Sequence, residues 1–276
     1  PPLVRWLNNC LTDHQWSSLN FRELWEYREL LVMLALREVQ LRYRQTLLGV
    51  AWVILQPLLT TLIFTFIFGG LLGASSENVR YEVFAFAGLI PWNVFSQSLQ
   101  RGGVSLTRDL RLITKIFFPR IIIPIANALS TLVDFGVSFL ILLILLLVFR
   151  IPITLSFLSL PLILVLTLLL SIGVGVIFAA LNVYYRDFTY VLPFLIQVWL
   201  FVSPLAYSSS IIPEKWKWVY SLNPMAGIID GFRWAIFGTT NFPAYSLIYS
   251  SVVSIVVFLI GMFVFKRLER SFADVI

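Results

Sequence analysis

The chain has 276 residues, of which 59% are hydrophobic and only 12% charged, with a mean hydropathy of +0.90. A soluble domain carries about twice that charge, so the composition excludes one and places the chain in a bilayer. At roughly 20 residues per helical crossing of a core about 30 Å thick, five or six spans consume about half the chain, and no separate soluble enzyme domain of about 100 residues fits beside them.

The net charge of +6 comes from 20 Lys and Arg against 14 Asp and Glu. In a membrane protein this signals basic cytoplasmic loops facing anionic lipid rather than nucleic-acid binding. Cys10 is the single cysteine, which excludes an internal disulfide, and His14 is the single histidine, so a zinc or thiol-protease site is not expected. Neither HExxH nor a P-loop of the form GxxxxGKS or GxxxxGKT occurs, and the chain is expected to bind no metal and no ATP of its own. The opening PPLVRWLNN has neither an apolar core nor a cleavage site, so the first membrane segment is expected to be retained.

Residues 1–46 read as a cytoplasmic region containing an amphipathic helix, LNFRELWEYRELLVMLALREVQLRYRQ. Asn20 and Glu23 resemble a capping pair, and Leu19 with Leu24 resembles a staple. Leu24, Tyr27, Leu31, Leu34 and Leu41 share a stripe, while Arg22, Glu26, Glu29, Arg37, Arg42 and Arg44 supply the polar side. Such a helix lies in the membrane interface plane.

Charge-free runs then mark the spans, because an unpaired Lys, Arg or Asp at mid-bilayer costs roughly 2.5 to 3.5 kcal/mol. Six are expected between residues 47 and 266, at about 47–72, 83–100, 122–149, 156–182, 190–207 and 245–266. The second is short and carries Asn93, Ser96, Gln97, Ser98 and Gln100, which predicts a helix packed inside the bundle. SIGVG at 171–175 in the fourth predicts close helix contacts. The segment 208–243 has only 12 uncharged residues between Lys217 and Asp230, and Pro213, Pro224 and Gly227 interrupt it. It is either an exposed loop or a re-entrant pair of short helices, and Trp216, Trp218, Tyr220 and Trp234 favour the re-entrant form at headgroup depth. Residues 267–276 form a tail. With both ends cytoplasmic, 15 of the Lys and Arg residues lie inside and 5 outside, as the positive-inside rule requires.

No catalytic constellation is visible. Asp134 is the one charge clearly within a span, either functional or paired with a neighbouring helix to fix packing. Asp230 and Arg233 are one helical turn apart and read most simply as an intrahelical ion pair. Aromatic residues form 16% of the chain. Most suit interface anchoring, but Trp52, Trp92 beside Asn93 and Phe95, and the pair Tyr184 and Tyr185 are candidates to line a pathway, since sugars stack CH faces on rings. The basic loop 101–120, with Arg108, Arg111 and Lys115, is either a lipid-headgroup surface or a docking surface for a cytoplasmic partner.

Five motifs in order resemble one family. They are YRELLVMLALREVQLRYRQTLLGVAWVILQPLL at 27–59, FAGLIPWNVF at 86–95, LITKIFFPR at 112–120, NVYYRD at 182–187 and SLNPMAGIIDGFRWAIFG at 221–238. The chain is similar over about residues 20–266 to the polysaccharide-export permeases of ATP-binding-cassette transporters, the membrane subunits of O-antigen, capsule and teichoic-acid exporters, with the Wzm-type O-antigen permeases nearest. The resemblance implies an all-α integral membrane fold with six spans, a cytoplasmic interface helix and two re-entrant helices on the outer side before the last span. It implies a homodimer with two copies of a separate cytoplasmic P-loop ATPase, which binds the ATP and Mg, and an aromatic-rich pathway between the protomers. By analogy Arg37, Arg42, Arg44, Arg108, Arg111 and Lys115 would form the surface receiving the ATPase's motion. The expected activity is translocation of a lipid-linked polysaccharide across the inner membrane, without covalent chemistry by this chain. A lipid or drug exporter is the alternative within the superfamily. A membrane glycosyltransferase would have only Glu77, Arg80 and Glu82 to work with, and a secondary transporter lacks coupling-ion carboxylates.

Overall fold

The computed structural model of the chain describes residues 25–44, 51–73, 79–109, 118–207, 209, 214–238, 242–269 and 272. Every regular element among them is helical. Helix α1, Arg28–Tyr43, is built from strong helix formers, and Glu29 in its first turn and Arg42 in its last complement the helix dipole. None of its side chains is fully buried. Leu31 and Leu34 are half-buried while Tyr27 and Leu41 are exposed, so α1 lies along the edge of the bundle rather than inside it. The expected cap at Asn20 and Glu23 and the staple at Leu19 and Leu24 lie outside the described residues.

Helix α2, Ala51–Phe64, continues through a π-helical stretch, Thr65–Leu71. Pro57 lies inside it, and just beyond, Thr60 donates to the Gln56 carbonyl at 2.9 Å and Thr61 to that of Pro57 at 2.8 Å. Helix α3, Tyr81–Arg108, has 28 residues, a length of about 42 Å. It begins two residues before the expected second span and runs well beyond its end at residue 100. The expected third span is two helices, α4 (Ile122–Leu129) and α5 (Thr131–Val148), joined at Ser130. A 3-10 turn, Leu155–Ser159, leads into α6, Leu160–Tyr184. Helix α7, Phe188–Val202, has 15 residues, about 22 Å, and gives way to a bend at 203–207. The 208–243 segment contains two short helices, α8 (Glu214–Ser221) and α9 (Pro224–Phe237), before α10, Ala244–Glu269.

Among the described residues, four stretches are long and apolar enough to cross a membrane: Ala51–Leu71, Ile122–Val148, Leu155–Tyr184 and Ala244–Glu269. Helix α3 is the centre of the packing. Phe86, Phe95 and Leu99 from α3 join Ile163 and Leu170 from α6 and Met225, Ile229 and Phe232 from α9 in one core. Helices α6 and α10 meet through glycines, and a Cβ on Gly261 would collide with the Gly173 carbonyl. Helix α9 is firmly delimited. Asn223 caps it by accepting from the Met225 amide at 3.0 Å, Pro224 supplies the first turn, and Gly238 at φ +60° ends it. A second core, with Leu106, Ile123, Ala179 and Phe265, lies where Leu31 of α1 docks. One end of the bundle thus carries α1 and the other α9.

Candidate functional site

A cavity of about 540 Å³ opens between α1, α2, α3 and α5. Each wall follows from helical spacing. Asn93, Gln97 and Arg101 recur every four residues and share one face of α3, as do Trp52, Gln56 and Thr60 on α2, while α5 contributes Thr131, Asp134 and Ser138. The last turn of α1 closes the cavity with Arg42 and Tyr43.

The charges of this cavity form a single network. Arg42 donates from Nη1 to Asp134 Oδ2 at 2.7 Å and from Nη2 to Ser130 Oγ at 3.0 Å. Arg101 donates from Nη2 to the same Asp134 oxygen at 2.9 Å and also to Gln97 Oε1. The Tyr43 hydroxyl donates to Asp134 Oδ1 at 2.5 Å. Burial, and then this bond to a carboxylate, push the Tyr43 phenol above its ordinary pKa. Side-chain exposure is 21% for Arg42, 18% for Arg101 and 14% for Asp134, so the network is largely withdrawn from water. Arg101 Nη1 is buried with no hydrogen-bond partner.

A second tie lies one turn back on the same face of α1. Arg108 Nη2 donates to Glu38 Oε2 at 2.7 Å and to Asn127 Oδ1 at 2.5 Å, joining α1, α3 and α4. Glu38 and Arg42, four residues apart, therefore fasten α1 to the bundle at two points.

The structure distributes the expected pathway residues unevenly. Trp52, 48% exposed, and the half-buried Asn93 both border the cavity. Trp92 is only 3% exposed and Phe95 is fully buried; their rings lie 5.6 Å apart, and Phe95 meets Trp199 edge-on at 4.9 Å. Trp92 is next to Asn93 in sequence, but adjacent positions on a helix point in different directions, so Trp92 enters the core where Asn93 meets the cavity. Tyr184 donates to the Leu268 carbonyl at 3.0 Å, Tyr185 is exposed, and neither borders this cavity.

The basic residues divide as well. Arg37 and Arg44 are exposed on α1, whereas Arg42 and Arg108 are engaged in the two ties, and Arg111 and Lys115 lie outside the described residues. Arg233 is buried and reaches well past its own helix. It donates to the carbonyls of Pro204 at 2.7 Å and Leu205 at 2.8 Å, with its guanidinium 3.7 Å from the Phe84 ring. It anchors the 203–207 bend. Gly88 leaves room for it, since a Cβ there would stand 2.6 Å from Arg233 Nη2. Asp230 is within 3.5 Å of the Tyr220 hydroxyl. In the sequence Arg101 reads as the start of the basic loop, and nothing there marks Gln56 or Thr60. The visible signal was the four-residue spacing of Asn93, Gln97 and Arg101. Among the described residues no three His, Cys, Asp or Glu side chains are grouped to hold a metal ion.

Sequence comparison matches residues 29–237 to the ABC-2 type transporter family. An O-antigen export system permease protein, RfbA, from Klebsiella pneumoniae is 30% identical over 254 residues, which cover 90% of this chain and 95% of that protein. The RfbA permease of Myxococcus xanthus is 31% identical over 257 residues, with 92% and 97% covered. The polysialic acid transport protein KpsM of Escherichia coli is 29% identical over 240 residues, with 86% and 93% covered.

Proposed function

The chain belongs to the ABC-2 type transporter family, and on that premise we propose that it is the transmembrane permease subunit of an ATP-driven exporter of lipid-linked polysaccharide, of the O-antigen type, in the inner membrane. The observation that carries this is the near full-length similarity to permeases named for O-antigen export. KpsM, at similar identity, favours capsular polysaccharide as the second reading.

The structure supports a division of labour. Helices α3 and α7 complete six spans with the four long apolar stretches: α3 turns its polar face to the cavity, and α7 is extended by the bend that Arg233 holds. Helices α8 and α9 form the re-entrant pair at the outer face, opposite α1, and both termini are cytoplasmic. Trp52 and Asn93 line the substrate's path, with polar Gln56 and Thr60 available to sugar hydroxyls. Exposed Arg37 and Arg44, together with the Arg111 and Lys115 loop, receive a cytoplasmic P-loop ATPase, which holds ATP and Mg. Two copies of this chain and two of the ATPase make the transporter.

Affinity purification of the tagged chain from its native membrane, followed by native mass measurement, tests the assembly. The expected species contains two permease and two ATPase subunits. A stable chain that recruits no ATPase under these conditions contradicts the reading.

A further inference from the structure

We infer that the Arg42, Arg101 and Asp134 cluster is an anion site for a phosphate or pyrophosphate group, the lipid-borne one that joins a polyprenyl carrier to its glycan. The inference rests on the export reading for the source of the anion, and on the cluster itself for the chemistry.

Charge comes first. The described residues lining the cavity include two guanidiniums and one carboxylate, all three mostly covered, so one positive charge is left over among them. A surplus charge withdrawn from water is costly, and an ionisable residue within a membrane segment is by default a candidate for function. The hydrogen bonds point the same way. Asp134 accepts from Arg42, Arg101 and Tyr43, so its oxygens are already heavily used, whereas Arg101 Nη1 is buried with nothing to donate to. Unpaired buried donors are uncommon in folded proteins. The planar fork of a guanidinium matches phosphate oxygens in a bidentate fashion, and two such forks beside one cavity suit a doubly charged group.

Position supplies the third argument. On the α2 side, Leu59 and Ile63 border the cavity and are also exposed, which leaves an apolar flank for an isoprenoid chain. A headgroup at Arg101 would thus have its tail toward α2 and its glycan within the cavity. The bound anion also competes with Asp134 for Arg42. Loading the site would therefore weaken the tie that holds the end of α1, so substrate occupancy reaches the helix facing the ATPase.

The test is equilibrium binding of radiolabelled farnesyl pyrophosphate to the full chain in nanodiscs, with inorganic pyrophosphate and farnesol as competitors. Arg101→Gln should weaken binding about tenfold or more, and Arg101→Lys, which keeps the charge, should weaken it less. Asp134→Asn should bind more tightly than wild type, because it removes the competing carboxylate. A cluster that only holds helices together predicts that Asp134→Asn and Arg101→Gln change stability and leave affinity alike, and that result overturns the proposal. Farnesol competing as well as farnesyl pyrophosphate also overturns it. Arg101-dependent binding in which inorganic pyrophosphate matches farnesyl pyrophosphate retains the anion site and reassigns its source to a free anion. Polymer export is followed in parallel. Arg101-dependent binding in cells whose surface polymer does not require the chain contradicts the export reading alone, whereas normal export with Arg101-independent binding contradicts the site alone.

Discussion

Arg42 of α1 and Asp134 of α5 meet at 2.7 Å, although 92 positions separate them in sequence. The contact ties a helix at the edge of the bundle to the wall of the cavity. Each partner answers the other's charge in a site where an unanswered carboxylate or guanidinium would be expensive. Removing Asp134 leaves two guanidiniums facing one another. A double-mutant cycle on Arg42→Ala and Asp134→Ala, read by thermal unfolding in detergent, should give a coupling of about 1 kcal/mol or more. Strictly additive effects would show that the two side chains meet without stabilising the helix junction.

Trp52 offers its ring to the cavity and leaves about half of its surface free. Ring stacking on sugar CH faces is taken as worth about 0.5 to 1.5 kcal/mol, by analogy with aromatic pairs. Trp52→Ala should lower surface polymer several-fold, with lipid-linked polymer retained inside the cell, and Trp52→Phe should be milder. Normal export by a well-folded Trp52→Ala chain would make the ring a membrane anchor.

Gly261 and Gly173 allow α10 and α6 to touch at the backbone. Gly261→Ala should cost about 1 to 3 kcal/mol through overpacking, seen as a lower melting temperature in detergent. Gly136→Ala is the matched control. No atom lies within 4 Å of its new Cβ, and alanine is the better helix former, so stability should hold or rise.

The orientation rests on the distribution of basic residues. With Cys10 replaced by Ser, a cysteine placed at Ser209 should react with an impermeant thiol reagent added from outside the cytoplasmic membrane, and one at Ser271 should not. Labelling at Ser271 alone would invert the topology.

The apolar spans were legible because an uncharged run of roughly 20 residues or more is long enough to cross the hydrocarbon core and too apolar to sit stably in water. The full extent of α3 was not. Arg101 looks like the end of a span when its nearest neighbours alone are considered, but Gln97 and Asp134 accept its hydrogen bonds and the helix continues to Arg108. The break at Ser130 left no mark in composition either. Its neighbours Leu129 and Thr131 are both compatible with helix, and Ser130 itself keeps helical backbone angles while its hydroxyl accepts from Arg42. The cavity was half legible: residue types nominated Trp52 and Asn93, while Arg42 and Asp134 were assigned to separate tasks because nothing in their spacing places them together. Trp92 illustrates a limit of reasoning by proximity, since one step along a helix turns a side chain from the cavity into the core.

Surface polymer in a strain lacking this chain tests the central claim most directly. Deletion should abolish polysaccharide at the cell surface and cause lipid-linked polymer to accumulate on the cytoplasmic side, and the plasmid-borne chain should restore display. Undiminished surface polysaccharide after deletion, with no polymer retained inside, would contradict the account.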